Sequence, residues 1–386
     1  MLRFLLEKNP IFGRKLLLTG GGRCNVTNNK TNVREMLERY KEGGKFLFSA
    51  FAQHSVEDTV SFFEGRGMAL KEENEGRLFP VTDSSQTVRD TLVEYMKEGG
   101  VKVRGKREVK SIIKNEEKGL FTVSLEGGQK VVARACVVAA GGVSHPETGS
   151  TGECFEWLAS LGHNVADIDY SLVPIALKDA WVKKLSGVSV PEAKLTIVSN
   201  EKKHSVHTGK LLFTHFGVSG PVVLNLSKIV GELLLEGSVT LMLDIVPNVD
   251  VVELRAKLQA LLTTESNKQI KNVLSALVPS TLVLPLLTLA EIDGDTPCHS
   301  VRSEERVRLV ELLKAVPLHV ERILGADKAI VSSGGISPEE VNFKTMESRV
   351  VSGLYIVGDV LNIDRPSGGY SLQLCWTTGF VAGSHA

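Results

Sequence analysis

Residues 19–28 read TGGGRCNVTN, three glycines in a row followed by an arginine, a cysteine and two asparagines. A glycine run leaves backbone N–H groups bare, and where it leads into a helix those donors and the positive helix end bind phosphate. Arg23 would add charge beside Gly20, Gly21 and Gly22; the plain alternative is a turn. Glu7 closes a short apolar run, as does the acidic residue that accepts ribose hydroxyls in dinucleotide-binding α/β domains. In such domains the fingerprint GxGxxG stands about 20 residues ahead of that acid. Six residues precede Glu7, so the first strand and its phosphate loop are expected to be absent. Residues 137–142 (VVAAGG) end a buried run in Gly141 and Gly142, either as backbone passing a cofactor or as an ordinary turn. Residues 353–359 (GLYIVGD) deliver Asp359 at the carboxyl end of a strand, where open α/β sheets place ligands. Gly368 and Gly369 open the last helix, whose N-terminus attracts a negative group.

Other residues carry weaker signals. His204 and His207 follow Lys202 and Lys203 as a metal pair or an exposed hairpin tip, the tip being the simpler reading, and no metal is expected. Cys24 reads as a packed thiol rather than a reactive one. His215 either faces substrate or caps a strand, and no GxSxG elbow supports a hydrolase. Five cysteines without a CxxC pair fit a reducing compartment, with the cytoplasm as the expected location. Forty-five basic residues balance forty-five acidic ones, which favours a small-molecule substrate over nucleic acid or an anionic membrane. The longest apolar stretch, residues 282–290, is too short to span a bilayer.

The elements that must hold these residues alternate. A strand is expected at residues 2–6, helices at 31–40, 56–66 and 84–97, and strands at 101–103, 109–113 and 121–125. Residues 131–140 read as one continuous buried strand, followed by a helix at 154–161. From about residue 172 short β-type runs at 194–198, 210–213 and 239–243 mark an insert, and helical spacing returns at 249–262, 270–277 and 304–324. Strands at 329–331 and 354–357 and a helix at 372–382 resume the α/β pattern. The simplest layout is an α/β unit, residues 1–170 and 333–386, interrupted by a β domain at 171–248 and 300–332 with a helical subdomain at 249–299.

KNPIFGRKLLLTGGGRCNVTN, AAGGVSHPETGSTG, LLFTHFGVSGPVVL, KTMESRVVSGLYIVGDVL and SGGYSLQLCWTTGFVAG, in that order, resemble the BaiN/RdsA-type NAD(P)/FAD-dependent oxidoreductases, also called aminoacetone oxidase-like flavoproteins. The resemblance covers residues 2–383. It implies an α/β, Rossmann-like FAD-binding domain, here without its first strand and GxGxxG, and an inserted β-barrel carrying a helical subdomain. It further implies that Glu7 holds the adenosine ribose, that Arg14, Lys15 and Gly20, Gly21 and Gly22 line the FAD groove, and that the Val109 backbone lies by the adenine. Gly141 and Gly142 would pass beside the cofactor, Asp359 would sit near the ribityl chain and pyrophosphate, and Gly369, Tyr370 and Ser371 would stand at the flavin end. Cys154 replaces a frequent glycine and Asn362 a frequent aspartate.

The expected activity is hydride transfer from NAD(P)H through FAD to a small organic acceptor such as an activated C=C bond, with Tyr370, His215 and Arg365 as candidate proton donors. A flavin amine oxidase using dioxygen and a non-catalytic remnant that binds FAD poorly remain as alternatives. Substrate identity, the choice of NADH or NADPH and the oligomeric state are not legible.

Overall fold

The computed structural model describes residues 2–325 and 331–386 and divides into two compact units, residues 1–171 with 326–386 and residues 172–325. No described helix is long and apolar enough to cross a membrane.

In the first unit the parallel strands fall into two ladders. Phe4–Leu6 pairs with Lys102–Arg104, and Cys136–Val138 pairs with Leu354–Ile356, which two short antiparallel strands extend. No described strand joins the two ladders. Three-stranded antiparallel sheets (Val109–Asn115, Leu120–Leu125, Lys130–Ala133; and Thr27–Asn28, Arg77–Pro80, Leu70–Glu73) surround them. The apolar run at 131–140 is therefore not one strand: Lys130–Ala133 ends the first of these sheets and Cys136–Val138 starts a ladder in another. Period-2 burial cannot reveal such a change of sheet, because both halves are apolar. The helix Tyr370–His385 closes the unit, burying Leu374, Val381 and Ala382. Of the strand expected at 329–331, residues 329 and 330 lie outside the described residues, and Val331 opens the strand Val331–Ile336.

The second unit is a closed antiparallel barrel in the order Ile175–Leu177, Gly217–Ser219, Lys202–Phe213, Ser189–Ser199, Val239–Asp244 and Val316–Ile323, returning to the first. Alternate residues such as Leu195, Ile197, Leu211, Phe213, Leu241 and Leu243 point inward and are fully buried. The helices Pro221–Glu236, Val251–Thr264, Ser280–Leu289 and Ser303–Lys314 share that core. The expected helix at 304–324 stops at Lys314, and Val316–Ile323 is the closing strand. Pro317 lacks the N–H a helix interior requires, and Val316, Leu318 and Val320 alternate inward.

Candidate functional site

The glycine run does not begin a helix. It follows the helix Arg14–Leu18 as a 3-10 turn, Thr19–Gly22, with Gly20, Gly21 and Gly22 at φ 57°, 67° and 88°. Glycine is required because the left-handed region strains other residues. A Cβ on Gly20 would lie 2.8 Å from the Asn25 nitrogen, whereas beside Gly21 and Gly22 nothing lies within 4 Å, so their bare backbone borders open space. Arg23 turns away to the hairpin, where Glu73 and Asp83 bind its guanidinium over the Phe79 ring. Cys24 is fully buried, and burial pushes its thiol up to about 11 against the Thr19 hydroxyl, which makes it a packed thiol.

The residues after the run meet the start of the last helix. A Cβ on Gly369 (φ 99°) would lie 2.4 Å from the Thr27 carbonyl carbon, so only glycine lets the two backbones touch. The Asn25 amide oxygen accepts from the Gly369 N–H at 2.9 Å, Asn28 Nδ2 donates to the Gly368 carbonyl at 3.1 Å, and Trp376 Nε1 donates to the Val26 carbonyl at 2.9 Å. Thr27 Oγ1 donates to Gln373 Oε1 at 2.6 Å. Asn28 is 2% exposed, yet its Oδ1 has no partner among the described residues. A buried acceptor left open is costly unless a water or ligand group meets it.

A charged cluster lies beside this seam. Asp359, in the turn Gly358–Val360, holds the Arg365 guanidinium, whose Nη1 donates to the Ile363 carbonyl at 2.5 Å and whose Nε donates to Ser371 Oγ at 3.1 Å. The Arg365 side chain is 1% exposed. Lys15 Nζ donates to the Ser144 carbonyl at 2.7 Å and to Ser144 Oγ at 3.2 Å. Burial lowers the Lys15 pKa, with the Asp359 charge pulling the other way. Gly141 approaches so closely that an added Cβ would sit 2.9 Å from Ser150 Oγ and 4.0 Å from Lys15 Nζ. Cys375 Sγ, also here, is pushed by burial up to about 12 and is no thiolate at neutral pH. Tyr370 is 6% exposed; Tyr40 Oη donates to its carbonyl at 2.9 Å, and burial pushes its phenol upward against the pull of Arg39.

A second cluster gathers around Asn9. Glu7 Oε1 accepts from both the backbone N–H and Nδ2 of Asn9 at 2.8 Å, leaving Oε2 free of any partner among the described residues. Arg14 Nη1 donates to Asn9 Oδ1 at 3.1 Å. Gly142 is buried, and Val109 lies in its strand opposite Leu125. His215 belongs to the other unit, where it is exposed beside the Phe216 ring.

The structure thus brings Lys15, Gly141, Asp359, Arg365 and Ser371 together, joins Glu7 to Arg14 through Asn9, and diverts Arg23 to a hairpin. Sequence reasoning missed Asn9, Asn25, Thr27, Asn28, Ser144 and Gln373. The NVTN tetrad carried a signal, since short polar residues flanking a glycine run suit close backbone contacts, whereas Gln373 carried none.

The chain matches the HI0933-like protein Rossmann domain over residues 3–385. It is 28% identical to the 3-dehydro-bile acid delta(4,6)-reductase of Clostridium scindens, over 99% of this chain and 92% of that one. It is 31% identical to the ribosomal RNA dihydrouridine synthase of Escherichia coli, over 98% and 90%. Among solved structures, a 3-ketosteroid delta1-dehydrogenase from Sterolibacterium denitrificans (TM-score 0.53, 12% identity, 99% of this chain and 94% of that one) shares the fold. A flavocytochrome c3 fumarate reductase does likewise (TM-score 0.50, 15% identity, 99% and 73%). The chain therefore belongs to the HI0933-like Rossmann-domain family that its motifs resemble, and it is an enzyme of the oxidoreductase class with a flavoprotein fold.

Proposed function

We propose that the chain binds FAD along the groove of the first unit and, with NAD(P)H as electron source, reduces an activated carbon–carbon double bond. The observation that carries this reading is the meeting of Gly141 and the Asp359–Arg365 pair at Lys15, beside the seam where Gly369 touches Thr27 and the Asn28 oxygen has no partner, together with bare backbone at Gly21 and Gly22. That set fits a long ligand carrying hydroxyls, phosphates and a flat ring. The free Glu7 oxygen suits a ribose diol, and the Lys15 ammonium suits phosphate. The names of the two curated relatives support the reaction: delta(4,6)-reduction of a 3-dehydro-bile acid and formation of dihydrouridine each saturate a C=C bond conjugated to a carbonyl.

When bound, FAD supplies hydride transfer. The chain's own residues hold and orient. Arg365 fixes Asp359 and Ser371 in one geometry, Gly369 lets the Thr27 backbone pass under the last helix, and Tyr370, kept neutral by burial, holds a proton it can donate.

The test is the visible spectrum of the purified chain with FAD, followed anaerobically as NADPH or NADH and then a conjugated enone are added. Flavin bands that bleach with the nucleotide and return with the enone are expected. Tightly bound flavin that the enone never reoxidises would overturn the reductase reading.

A further inference from the structure

Apart from the groove residues, the first unit holds a cavity of about 250 Å3, lined on one side by Lys45 and Phe46 and on the other by Glu339, Phe343, Lys344 and Arg349. Its charge is lopsided, three cations against one carboxylate. The Lys344 ammonium has no partner among the described residues. Arg349 uses only Nε, which donates to the Val341 carbonyl at 3.2 Å, so its two terminal nitrogens have none either. Lys45 stands 3.7 Å from Glu42, but both side chains are exposed, and an ion pair of that kind is weak and screened by salt.

The walls that carry these cations are fixed. The helix Gly44–Phe51 supplies Lys45 and Phe46, and the hairpin formed by Val341–Asn342 and Glu347–Ser348 supplies Phe343 and Lys344 in its turn, with Arg349 just after it. Phe46 and Phe343 pack with ring centroids 5.9 Å apart, and Gln53 Nε2 donates to the Lys344 carbonyl at 2.9 Å, so helix and turn are joined at two points. Asn342 Oδ1 accepts from the Lys344 N–H at 3.2 Å, which sets the turn. The same helix starts beside the charged cluster of the groove. A Cβ on Gly43 would lie 2.8 Å from Ile363 Cγ2, Lys41 Nζ stands 3.7 Å from Asp364 Oδ2, and the Ile363 carbonyl accepts from Arg365. At a rise of about 1.5 Å per residue, Phe46 is only about 5 Å along the axis from Gly43, so the cavity begins about one helical turn from that cluster.

We propose that this cavity holds the 2′-phosphate of NADPH and makes the chain select NADPH over NADH. A phosphate monoester carries close to two negative charges at neutral pH and three acceptor oxygens, and two ammonium groups and a guanidinium with open donors match both. NADH carries a hydroxyl at that position, which gains little from three cations. The Phe46 and Phe343 rings offer the neighbouring adenine an apolar wall. Glu339 is exposed and opposes the phosphate, so its neutralisation should tighten binding. From this anchor the rest of the dinucleotide runs past the start of the helix toward Ile363 and Arg365, the direction a hydride donor must take to reach the groove. NADPH as the ligand rests on the reductase reading above. As a site for the 2′-phosphate of a nucleotide the cavity stands without it.

The experiment has two readouts on the full chain loaded with FAD. Calorimetric titration with adenosine 2′,5′-bisphosphate, 5′-AMP and inorganic phosphate at low salt reads the site itself, and anaerobic bleaching of the flavin over a range of NADPH and NADH concentrations reads its use. The bisphosphate should bind at least about tenfold more tightly than 5′-AMP or phosphate, and NADPH should half-saturate bleaching at a concentration about tenfold below NADH. In Lys45→Gln/Lys344→Gln/Arg349→Gln both preferences should shrink toward one. Glu339→Gln should strengthen them. The control Lys97→Gln/Lys118→Gln/Lys130→Gln, which removes the same charge from exposed positions on other elements, should keep them. A parent without preference for the bisphosphate, or a cavity variant that behaves as the control does, would overturn the proposal. Bleaching by both nucleotides alike, untouched by the cavity variant, sinks the site alone. Bisphosphate binding that depends on the three cations, with no bleaching by either nucleotide, sinks the reductase reading alone.

Discussion

The two units bury different things. The barrel unit buries apolar side chains in one continuous core and, among the described residues, only Ser199, Ser227 and Asp244 as polar ones. The first unit buries many more polar side chains, Thr27, Asn28, Ser144, Ser150, Arg365, Gln373, Thr377 and Thr378 among them, and splits its apolar residues between two cores. Its strands are short and fall in several small ladders, where the barrel's close on themselves. Closure removes edges and makes stability easy to reach, whereas a polar seam held by a few hydrogen bonds fixes geometry at the cost of tolerance. On the proposed reading, stability and function are carried by different parts of one chain.

The largest expected effects test that division. Gly369→Val forces a branched side chain to φ 99° and drives it into the Thr27 backbone, which should cost about 4 kcal/mol from strain and overpacking together. Phe213→Ala empties a fully buried site in the barrel and should cost a similar amount, about 3–5 kcal/mol. Urea midpoints should fall for both, but flavin retained on a desalting column should fall only for Gly369→Val. Equal loss of flavin from the two variants would erase the contrast.

Arg365→Leu comes next. It leaves Asp359 partly buried without its cation and should cost about 3 kcal/mol, as breaking a buried pair does. Adding Asp359→Leu should restore much of the stability, because a buried pair replaced by apolar groups is close to neutral, while flavin binding stays lost. A double variant as unstable as the single would mean that the guanidinium serves mainly the Ile363 carbonyl and Ser371.

How much of this was legible depended on distance along the chain. The glycine motifs stood out because each is contiguous, but the direction of the first was misread: it ends the helix Arg14–Leu18, and its donors are not a helix N-terminus. The seam between Thr27 and Gln373 joins residues 346 apart, and nothing in one sequence pairs them. The same limit hid a Glu–His–Ser relay in which His163 Nδ1 meets Glu340 Oε2 at 2.6 Å and His163 Nε2 meets Ser348 Oγ at 2.9 Å. It has the residue types of a hydrolase, but Ser348 is buried and its Oγ already accepts the N–H groups of Val350 and Val351. It is a clasp. Burial pushes the Glu340 carboxyl up, but hydrogen bonds from His163 and Asn164 outweigh this and hold it below its usual range. The stability this carboxylate contributes is therefore full above its unfolded value and lost as pH falls through the lowered folded one. Glu340→Gln should flatten the acid limb of the stability profile by about 1–2 kcal/mol without altering bound flavin.

The smallest effect has the opposite sign. Burial lowers the Lys15 pKa, so in the folded chain its charge is held at a cost. Between that lowered value and the ordinary 10.5 the unfolded chain binds more protons than the folded one, so stability should rise with pH across that window. Lys15→Met keeps the length of the side chain and removes the charge. It should raise the urea midpoint at neutral pH by up to about 1 kcal/mol of stability and abolish the alkaline rise. FAD affinity should move the other way, since a phosphate beside the ammonium favours its protonated form: affinity in the parent should weaken as pH rises through the folded pKa, and in Lys15→Met it should be weaker throughout and flat with pH. A variant that gained stability and kept both its FAD affinity and the pH slope would place the phosphate away from Lys15, and the polar seam at Gly369 would be left to hold the cofactor alone.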